Sequence, residues 1–238
     1  MKKLLISTLL AGSLFAQESI IDKLNKIDTI KTLQVHIKDV QEHKDLYVID
    51  GIVPTQNGVQ NITFTVTKDM KYTFFGTAFD NEIKKEIIFK KDMSKYIKNS
   101  NFTYGKGKDE YLVFTDPQCP YCKKFEKFLK ESNLEEKVKV HYILYPLSHH
   151  GEALDMSRFI LNQSTNAKKL SASYDVTVKG SSIYQNIPYS EQDIKKLDSI
   201  IADNKKMVET LGIMGTPTLV DSNGQTVNIG YFFKKYSN

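Results

Sequence analysis

The sequence predicts a two-part α+β protein, in which a small helix-and-sheet domain precedes a larger α/β domain. Short β-type runs separated by turn residues fill the chain between Leu33 and Phe75, a pattern typical of an antiparallel sheet. From Tyr111 onwards a strand, an amphipathic helix and a second strand follow one another. This order is typical of a parallel β-α-β unit.

Residues 1–16 are predicted to be an export signal. Lys2 and Lys3 give a positive start, Leu4 to Phe15 form an apolar run, and Ala16 is a small residue at the expected cleavage position. The run is shorter than the roughly 20 apolar residues that span a bilayer, although an uncleaved anchor is the alternative. We therefore expect the mature chain in the bacterial periplasm, where disulfides persist.

Residues 17–78 are predicted to form the N-terminal domain. An amphipathic helix over 19–33 precedes four strands, with Asn57-Gly58 among the turns between them. The strands are expected at Leu33–Val40, Leu46–Val53, Ile62–Val66 and Tyr72–Phe75. A domain of this size has a marginal hydrophobic core, so we expect it to pair with another surface.

Residues 79–108 are predicted to be a lysine-rich, helical linker. Ile83, Ile87 and Ile88 fall on one face of a helix if the segment is helical. The glycines at Gly105 and Gly107 indicate a flexible approach to the next domain.

Residues 109–238 are predicted to form the larger domain. A helix over Cys119–Lys130 joins the strands Tyr111–Thr115 and Val138–Leu144. Two further helices are expected over 150–162 and 191–211, with a polar stretch between them that has no clear pattern. The last strands are expected at Thr218–Val220 and Thr226–Tyr231, turned by Ser222-Asn223-Gly224.

The charge distribution gives no support to nucleic-acid binding. The formal net charge is +5, and the lysines are scattered among acidic residues. Arg158 is the only arginine, so no arginine-rich stripe exists. The sequence also gives no indication of a bound cofactor.

The chain has two cysteines, Cys119 and Cys122, in a C-P-Y-C motif where a strand meets a helix. Unpaired backbone N–H groups and the helix dipole favour a thiolate at a helix N-terminus, and the thiolate is the form that attacks disulfides. We interpret the pair as a redox centre. A zinc site would need two further ligands, and the histidines do not supply them as a cluster. An inert Cys119–Cys122 bridge is the other alternative, although so short a loop gains little stability.

Position assigns different roles to the residues of the motif. Cys119 is expected to be the exposed nucleophile, and Cys122, one turn into the helix, the buried resolving thiol. Pro120 suits the first helical turn, and together with Tyr121 it is expected to tune the thiolate. Tyr121 is also expected to border a substrate groove.

Two acidic residues near the motif have more than one interpretation. Asp116 and Glu126 are candidates for proton transfer to and from Cys122. The alternatives are an ordinary turn residue at 116 and a solvated helix face at 126.

A second motif, Gly215-Thr216-Pro217-Thr218, resembles the cis-proline loop of thioredoxin-fold proteins, which faces the CxxC motif and binds substrate through its backbone. Together with Phe114–Cys122 and the turn at Asn223-Gly224, it makes the chain similar to the periplasmic disulfide isomerases DsbC and DsbG. The resemblance implies a cystatin-like N-terminal dimerisation domain, a helical linker and a thioredoxin-fold catalytic domain with a helical insertion. It also implies a V-shaped homodimer joined through residues 17–75. Thr216 is separately expected to contact the Cys119 sulfur and to bias its redox equilibrium, with an ordinary turn residue as the alternative.

The resemblance implies an isomerase or reductase of misfolded or mis-oxidised exported proteins. Its Cys119–Cys122 disulfide would be redox-active and recycled by a DsbD-type membrane reductase. The segment from Tyr145 to His150 instead resembles DsbA-type oxidases, so a dimeric dithiol oxidase served by a DsbB-type membrane oxidant is the alternative. A non-enzymatic chaperone is a third hypothesis. His149 and His150 have no assigned role, and solvent-exposed residues at a helix start are the simplest interpretation.

Overall fold

A computed structural model describes residues 20–56 and 58–237. The predicted export signal and Asn57 of the predicted turn lie outside the described residues. The chain divides into two compact units between Phe89 and Lys90, a point inside the segment predicted as a linker. Within the described ranges, every helix is too short or too polar to traverse a bilayer.

The first unit begins with two short helical segments rather than the single helix predicted over 19–33. Residues 20–24 are helical, and helix α1 follows at Asp28–Thr32. The prediction of one helix is wrong because Ile27, which precedes α1, has an extended backbone with φ −68° and ψ 125°. The break redirects the chain while Leu24 and Ile30 remain in the same hydrophobic core.

A four-stranded antiparallel sheet completes this core and confirms the predicted sheet. Its strands, in the spatial order of the sequence, are β1 (His36–His43), β2 (Leu46–Thr55), β3 (Gly58–Thr67) and β4 (Thr73–Phe74). Alternate residues of β3, Phe64 and Val66, are fully buried and pack against the helical segments. Thr65, on the opposite face of the strand, is also buried, so both faces are covered at this end of β3.

The helix predicted through Ile83 and Ile87 is also wrong, because this segment forms a β hairpin. Strands β5 (Ala78–Asp80) and β6 (Lys85–Ile87) pair antiparallel. Asp80 Oδ1 accepts hydrogen bonds from the backbone N–H groups of Glu82 and Ile83, at 2.9 and 3.3 Å. These bonds close a turn, which competes with helix formation.

The second unit is a five-stranded mixed sheet covered by helices. Its elements in chain order are α2 (Ser94–Lys98), β7 (Phe102–Tyr104), β8 (Asp109–Thr115), α3 (Pro120–Glu131), β9 (Val138–Leu144), α4 (Ala153–Leu161), α5 (Asn166–Ser173), α6 (Glu191–Leu211), β10 (Thr218–Asp221), β11 (Thr226–Val227) and α7 (Ile229–Tyr236). The strand order is β11-β10-β8-β9-β7. Strands β8 and β9 are parallel, so the predicted β-α-β unit is confirmed.

Strand β8 shows why both faces of this sheet are covered. Tyr111 and Val113 belong to one buried cluster, whereas Leu112 and Phe114 belong to another. The first cluster includes Phe125 of α3, and the second includes Val208 of α6. A strand buried on both faces reads as a continuous apolar run, as β8 does.

The glycines of the predicted flexible approach are tightly packed. Gly105 has φ +72°, and a Cβ there would lie 2.3 Å from the carbonyl oxygen of Val138. A Cβ on Gly107 would lie 2.0 Å from the carbonyl carbon of Lys137. The glycines therefore allow close backbone approach, and the expectation of flexibility at this point is wrong.

Two other segments differ from the sequence prediction. The strand predicted over Thr226–Tyr231 ends at Val227, because the Asn228 side chain accepts a hydrogen bond from Tyr231 N and caps α7. The unassigned polar stretch contains α5 and a π-helical turn, Tyr174–Val178.

Candidate active site

The two cysteines lie where α3 begins, directly after the carboxyl end of β8. Cys119 is the N-cap residue, with φ −72° and ψ 124°, and Pro120 occupies the first turn as the sequence predicts. The Cys119 side chain is therefore at the positive end of α3, the position that favours an anion. Both cysteines are free thiols.

The Thr216–Pro217 peptide bond is cis, the geometry expected from the sequence. Strand β10 pairs with β8 so that Thr218 faces Phe114, and this register brings the Thr216–Pro217 loop next to the motif. The Cys119 thiol donates a hydrogen bond to the Thr216 carbonyl oxygen, with Sγ and O 3.4 Å apart. The contact expected between Thr216 and the Cys119 sulfur is present, and it involves the backbone.

The expectation that Cys119 is exposed is wrong. Cys119 is 5% exposed and Cys122 is 1% exposed. Cys119 is covered because it packs against the Thr216 carbonyl, whereas the Cys122 sulfur accepts a hydrogen bond from the backbone N–H of Asp116 at 3.4 Å. The order of accessibility is as predicted, since Cys122 is the more deeply buried of the two.

The two thiols have opposite tendencies to ionise. A hydrogen bond from the Cys122 side chain is the main cause that lowers the pKa of Cys119 to about 5, with further help from the Cys122 backbone and the Thr216 hydroxyl, against the effect of burial. Burial raises the pKa of Cys122 far above its ordinary value, and the adjacent Cys119 raises it further. Near neutral pH, Cys119 is therefore a thiolate and Cys122 a thiol that stabilises it.

The Thr216 hydroxyl is available to the Cys119 thiolate. Its oxygen is buried and has no hydrogen-bond partner while Cys119 is a thiol that donates to the Thr216 carbonyl. Once Cys119 loses its proton, the sulfur becomes an acceptor, and the Thr216 hydroxyl is among the groups that lower the pKa of Cys119.

Replacing Thr216 with valine should raise the pKa of Cys119 by about one unit, because a hydrogen bond to the charged form is lost. The thiolate absorbance at 240 nm, measured against pH, gives this value. Thr216→Val should keep its stability, since the hydroxyl that it removes has no partner in the thiol form. Thr226→Val, which alters an exposed residue of β11, is the control, and an equal titration in all three proteins would contradict the prediction.

Asp116 is the buried anchor of the loop that carries the motif. Its Oδ1 accepts the backbone N–H groups of Gln118 and Cys119, at 2.7 and 3.1 Å. Its Oδ2 accepts the N–H of Leu147 at 2.7 Å and contacts Nδ1 of His150 at 3.0 Å. Asp116 is thus a turn residue, one of the two interpretations of the sequence, and it also joins the loops that follow β8 and β9.

Glu126 is buried, so its interpretation as part of a solvated helix face is wrong. Its carboxyl accepts a hydrogen bond from the Ser173 hydroxyl at 3.2 Å. Burial raises the pKa of Glu126 to about 8. A signal for this was present in the sequence, since Cys122, Glu126 and Leu129 follow the i, i+4, i+7 spacing of one helix face.

Two large apolar side chains that are close in sequence to the site residues are exposed. Tyr121, the second residue of α3, is 68% exposed, and Met214, two residues before Thr216, is 91% exposed. The sequence analysis singled out Tyr121 as the border of a substrate groove and did not single out Met214. A groove of about 360 Å³ runs beside the motif and is lined in part by Gln118 and Lys123.

The described residues contain no group of three or more histidine, cysteine or acidic side chains placed to hold a metal ion. Several of the histidines contact a carboxylate instead. Nε2 of His141, for example, lies 2.8 Å from Glu110 Oε1, and His43 pairs with Asp80.

Residues 101–235 match the thioredoxin-like domain, and this stretch is more than half of the chain. The chain belongs to the thioredoxin-like family. The matched region includes the C-P-Y-C motif, the cis peptide and all five strands of the second unit, and it begins after α2. No curated protein matches the sequence.

Several solved structures are similar to part of this chain. A disulfide interchange protein from Neisseria gonorrhoeae is 23% identical, with 59% of this chain and 96% of that chain covered and a TM-score of 0.45. A linker-deletion mutant of Proteus mirabilis ScsC is 18% identical, with 60% and 78% covered and a TM-score of 0.41. The thiol-disulfide exchange protein alpha-DsbA2 from Wolbachia pipientis is 15% identical, with 61% and 92% covered and a TM-score of 0.39. None of these similarities is close enough to assign an activity.

Proposed function

We propose that this thioredoxin-like protein is a thiol–disulfide oxidoreductase that isomerises or reduces wrong disulfides in exported proteins of the periplasm. The observation that carries the proposal is the Cys119 sulfur, whose pKa is lowered to about 5 at the start of α3. The same sulfur contacts the Thr216 carbonyl beside the cis peptide. A reactive thiolate beside the partly exposed Thr216–Pro217 loop is suited to attack on another chain.

The reaction begins when the Cys119 thiolate attacks one sulfur of a substrate disulfide. A Cys119–substrate disulfide forms, the substrate S–S bond breaks, and the other substrate sulfur leaves as a thiolate. In isomerisation, a different substrate thiolate then attacks the mixed disulfide. This forms a new substrate disulfide and returns Cys119 as a thiolate, with no net change in oxidation state.

Cys122 provides the second way to resolve the mixed disulfide. After losing its proton, Cys122 attacks Cys119, the substrate leaves as a dithiol, and Cys119–Cys122 becomes a disulfide. The raised pKa of Cys122 keeps this thiol protonated for most of the time, which supports a long-lived mixed disulfide and therefore isomerisation. A membrane dithiol reductase of the DsbD type would then restore the two thiols.

A dithiol oxidase is the second candidate, and the low pKa of Cys119 favours it. A stabilised thiolate favours the reduced form of the enzyme, so its disulfide oxidises other thiols readily. In this direction the Cys119–Cys122 disulfide accepts two electrons from a substrate dithiol, and a membrane oxidant of the DsbB type would regenerate it.

Trapping of thiols in growing cells distinguishes the two directions. Cells are quenched with acid, free thiols are alkylated with a mass-tagged maleimide, and the chain is resolved by size. An isomerase is expected mostly as the dithiol, carrying two tags, whereas an oxidase is expected mostly untagged. Purified protein should also restore activity to scrambled ribonuclease. If it does not, while Cys119→Ser suppresses aggregation as well as the wild type, the chain is a chaperone.

We further propose that the protein is a homodimer joined through its first unit, as its resemblance to DsbC and DsbG implies. Strand β4 lies at an edge of the four-stranded sheet. Tyr72, Phe74 and Phe75, in and beside this short strand, are all exposed. An open strand edge with exposed aromatic side chains is a site of intermolecular pairing. A second copy of the same chain supplies a matching edge.

Phe74→Glu should convert the dimer to a monomer, because it places a charge within the apolar interface. Light scattering coupled to size-exclusion chromatography should give the mass of one 27.3 kDa chain less the export signal, against twice that mass for the wild type. Ile183→Glu, an equally exposed position in the second unit, should remain dimeric. A monomeric wild-type protein at micromolar concentration would contradict the proposed dimer.

A further inference from the structure

His150 is close to the redox motif in space although it lies far from it in the sequence. Its Nδ1 is 3.0 Å from Oδ2 of Asp116, across 34 positions of the chain. The parallel pairing of β8 with β9 explains this, because the loops that follow parallel neighbours emerge at the same sheet edge. The His150 side chain is 20% exposed, so it is mostly enclosed and can still exchange protons with solvent.

The carboxyl group that His150 contacts is enclosed completely. Asp116 is 0% exposed, and the same carboxylate accepts the backbone N–H of Cys119. In the described part of the chain, His150 is the only basic side chain within ion-pair distance of Asp116. A buried carboxylate without a positive partner disfavours a second negative charge nearby, and a thiolate at Cys119 is such a charge.

We propose that His150 is a positioning residue of the redox centre, whose protonated ring balances the buried Asp116 carboxylate and thereby favours the thiolate at Cys119. The inference rests on the proposed exchange chemistry at Cys119 and adds a residue to it. His150 acts through Asp116, which holds the loop and the Cys119 backbone. Loss of the proton from His150 leaves the Asp116 charge unbalanced and makes thiolate formation at Cys119 less favourable.

Other titratable groups lie on the segments around the pair of His150 and Asp116. They are Cys119, Cys122, Lys123, Tyr145, His149 and Glu152. The His149 ring meets the His150 ring edge-on at 4.4 Å between centroids. The Glu152 carboxylate accepts a hydrogen bond from Gln185 Nε2 at 3.2 Å. His149 is therefore the control residue, because it is the adjacent histidine. The described residues show no hydrogen bond between His149 and Asp116.

The coupling must act in both directions. If a proton on His150 favours the Cys119 thiolate, then a thiolate at Cys119 favours the proton on His150 by the same free energy. Conversion of the two thiols to the Cys119–Cys122 disulfide removes the negative charge. The affinity of His150 for its proton should therefore be lower in the disulfide form than in the dithiol form.

The test compares His150→Gln, His149→Gln and the wild type. Glutamine retains a hydrogen-bond donor for Asp116 and removes the charge. The rate of Cys119 alkylation by iodoacetamide is followed from pH 3 to pH 9. In His150→Gln the pKa of Cys119 should rise by about one unit, as the loss of a nearby positive charge requires. In His149→Gln the titration should match the wild type. Identical titration curves in all three proteins would overturn the inference.

A second measurement covers the case in which His150→Gln does not fold. Imidazole resonances of the wild-type protein are titrated by NMR in the dithiol and disulfide forms, with His149→Gln used for assignment. The His150 midpoint should lie at higher pH in the dithiol form, and equal midpoints would overturn the inference. Neither measurement needs a protein substrate. A wild type that fails to exchange disulfides therefore counts against the proposed function, whereas these titrations decide the role of His150.

Discussion

Cys119→Ser should lose thiol–disulfide exchange completely, with a fall of at least about a thousandfold in the rate of insulin reduction. Serine is close to cysteine in size, but its hydroxyl stays protonated near neutral pH and does not attack disulfides. Cys122→Ala should behave differently, because its Cys119 thiolate still attacks. Without Cys122 the enzyme has no second thiol to resolve the mixed disulfide, so the variant should accumulate covalent adducts with exported proteins.

The adducts are detected as bands of higher mass on non-reducing gels that disappear on reduction. The double variant Cys119→Ser/Cys122→Ala is the control and should form none. Adducts that form through Cys122 in a Cys119→Ser background would reverse the assigned roles. Such a result would also conflict with the burial and raised pKa of Cys122.

Glu126→Gln should stabilise the folded protein at pH 8 and leave it unchanged near pH 5. The folded state raises the pKa of Glu126 from 4.5 to about 8, so between these values the folded chain holds a proton that the unfolded chain has released. Stability therefore falls as the pH rises through this window, by an amount on the order of 3–5 kcal/mol. Glutamine resembles the protonated carboxyl and has no proton to lose, so the variant avoids this fall.

Urea unfolding of the reduced protein at several pH values measures the effect. The variant must be compared with the wild type at each pH, because Cys119 has the opposite influence. Its lowered pKa stabilises the folded state fully above its unfolded value of 9.0, and this contribution is lost as the pH falls towards 5. Glu131→Gln, on the exposed end of α3, is the matched control and should follow the wild-type profile. Parallel profiles for Glu126→Gln and the wild type would show that Glu126 is not held neutral.

Elements with strong local signals could be located from the sequence. Strand β9 matches its predicted bounds, and so does α6, which begins after a capping Ser190 and ends at Gly212 with φ 67°. The β5–β6 hairpin could not be located in this way, since isoleucines at helical spacing also suit a short hairpin. Its turn depends on Asp80, which additionally pairs with His43 and Lys44 of a distant turn. Such contacts are tertiary and leave no local periodicity.

The residues of the candidate site also fall into two groups, those with a local sequence signal and those placed by tertiary contacts. Cys119, Cys122 and the Thr216–Pro217 step were identifiable because each is part of a short motif. The pairing of Asp116 with His150 was not, because it depends on which loops meet at the sheet edge. The burial of Glu126 was detectable in principle, since its position shares the helix face of Phe125 and Leu129. Glutamate is usually exposed to solvent, and this general tendency favoured the solvated interpretation over the spacing.

The carboxylate at 116 also limits how the helices between β9 and β10 can be exchanged between proteins. The first of these helices begins at Ala153, directly after the segment that supplies the Leu147 N–H and the His150 ring to Oδ2. A chimera whose graft starts before Leu147 would lose both donors, and a carboxylate sealed from water would then have two unfilled acceptor positions. A graft that starts at Ala153 retains them. The segment between 150 and 153 is therefore where such a graft can be joined without loss of these hydrogen bonds.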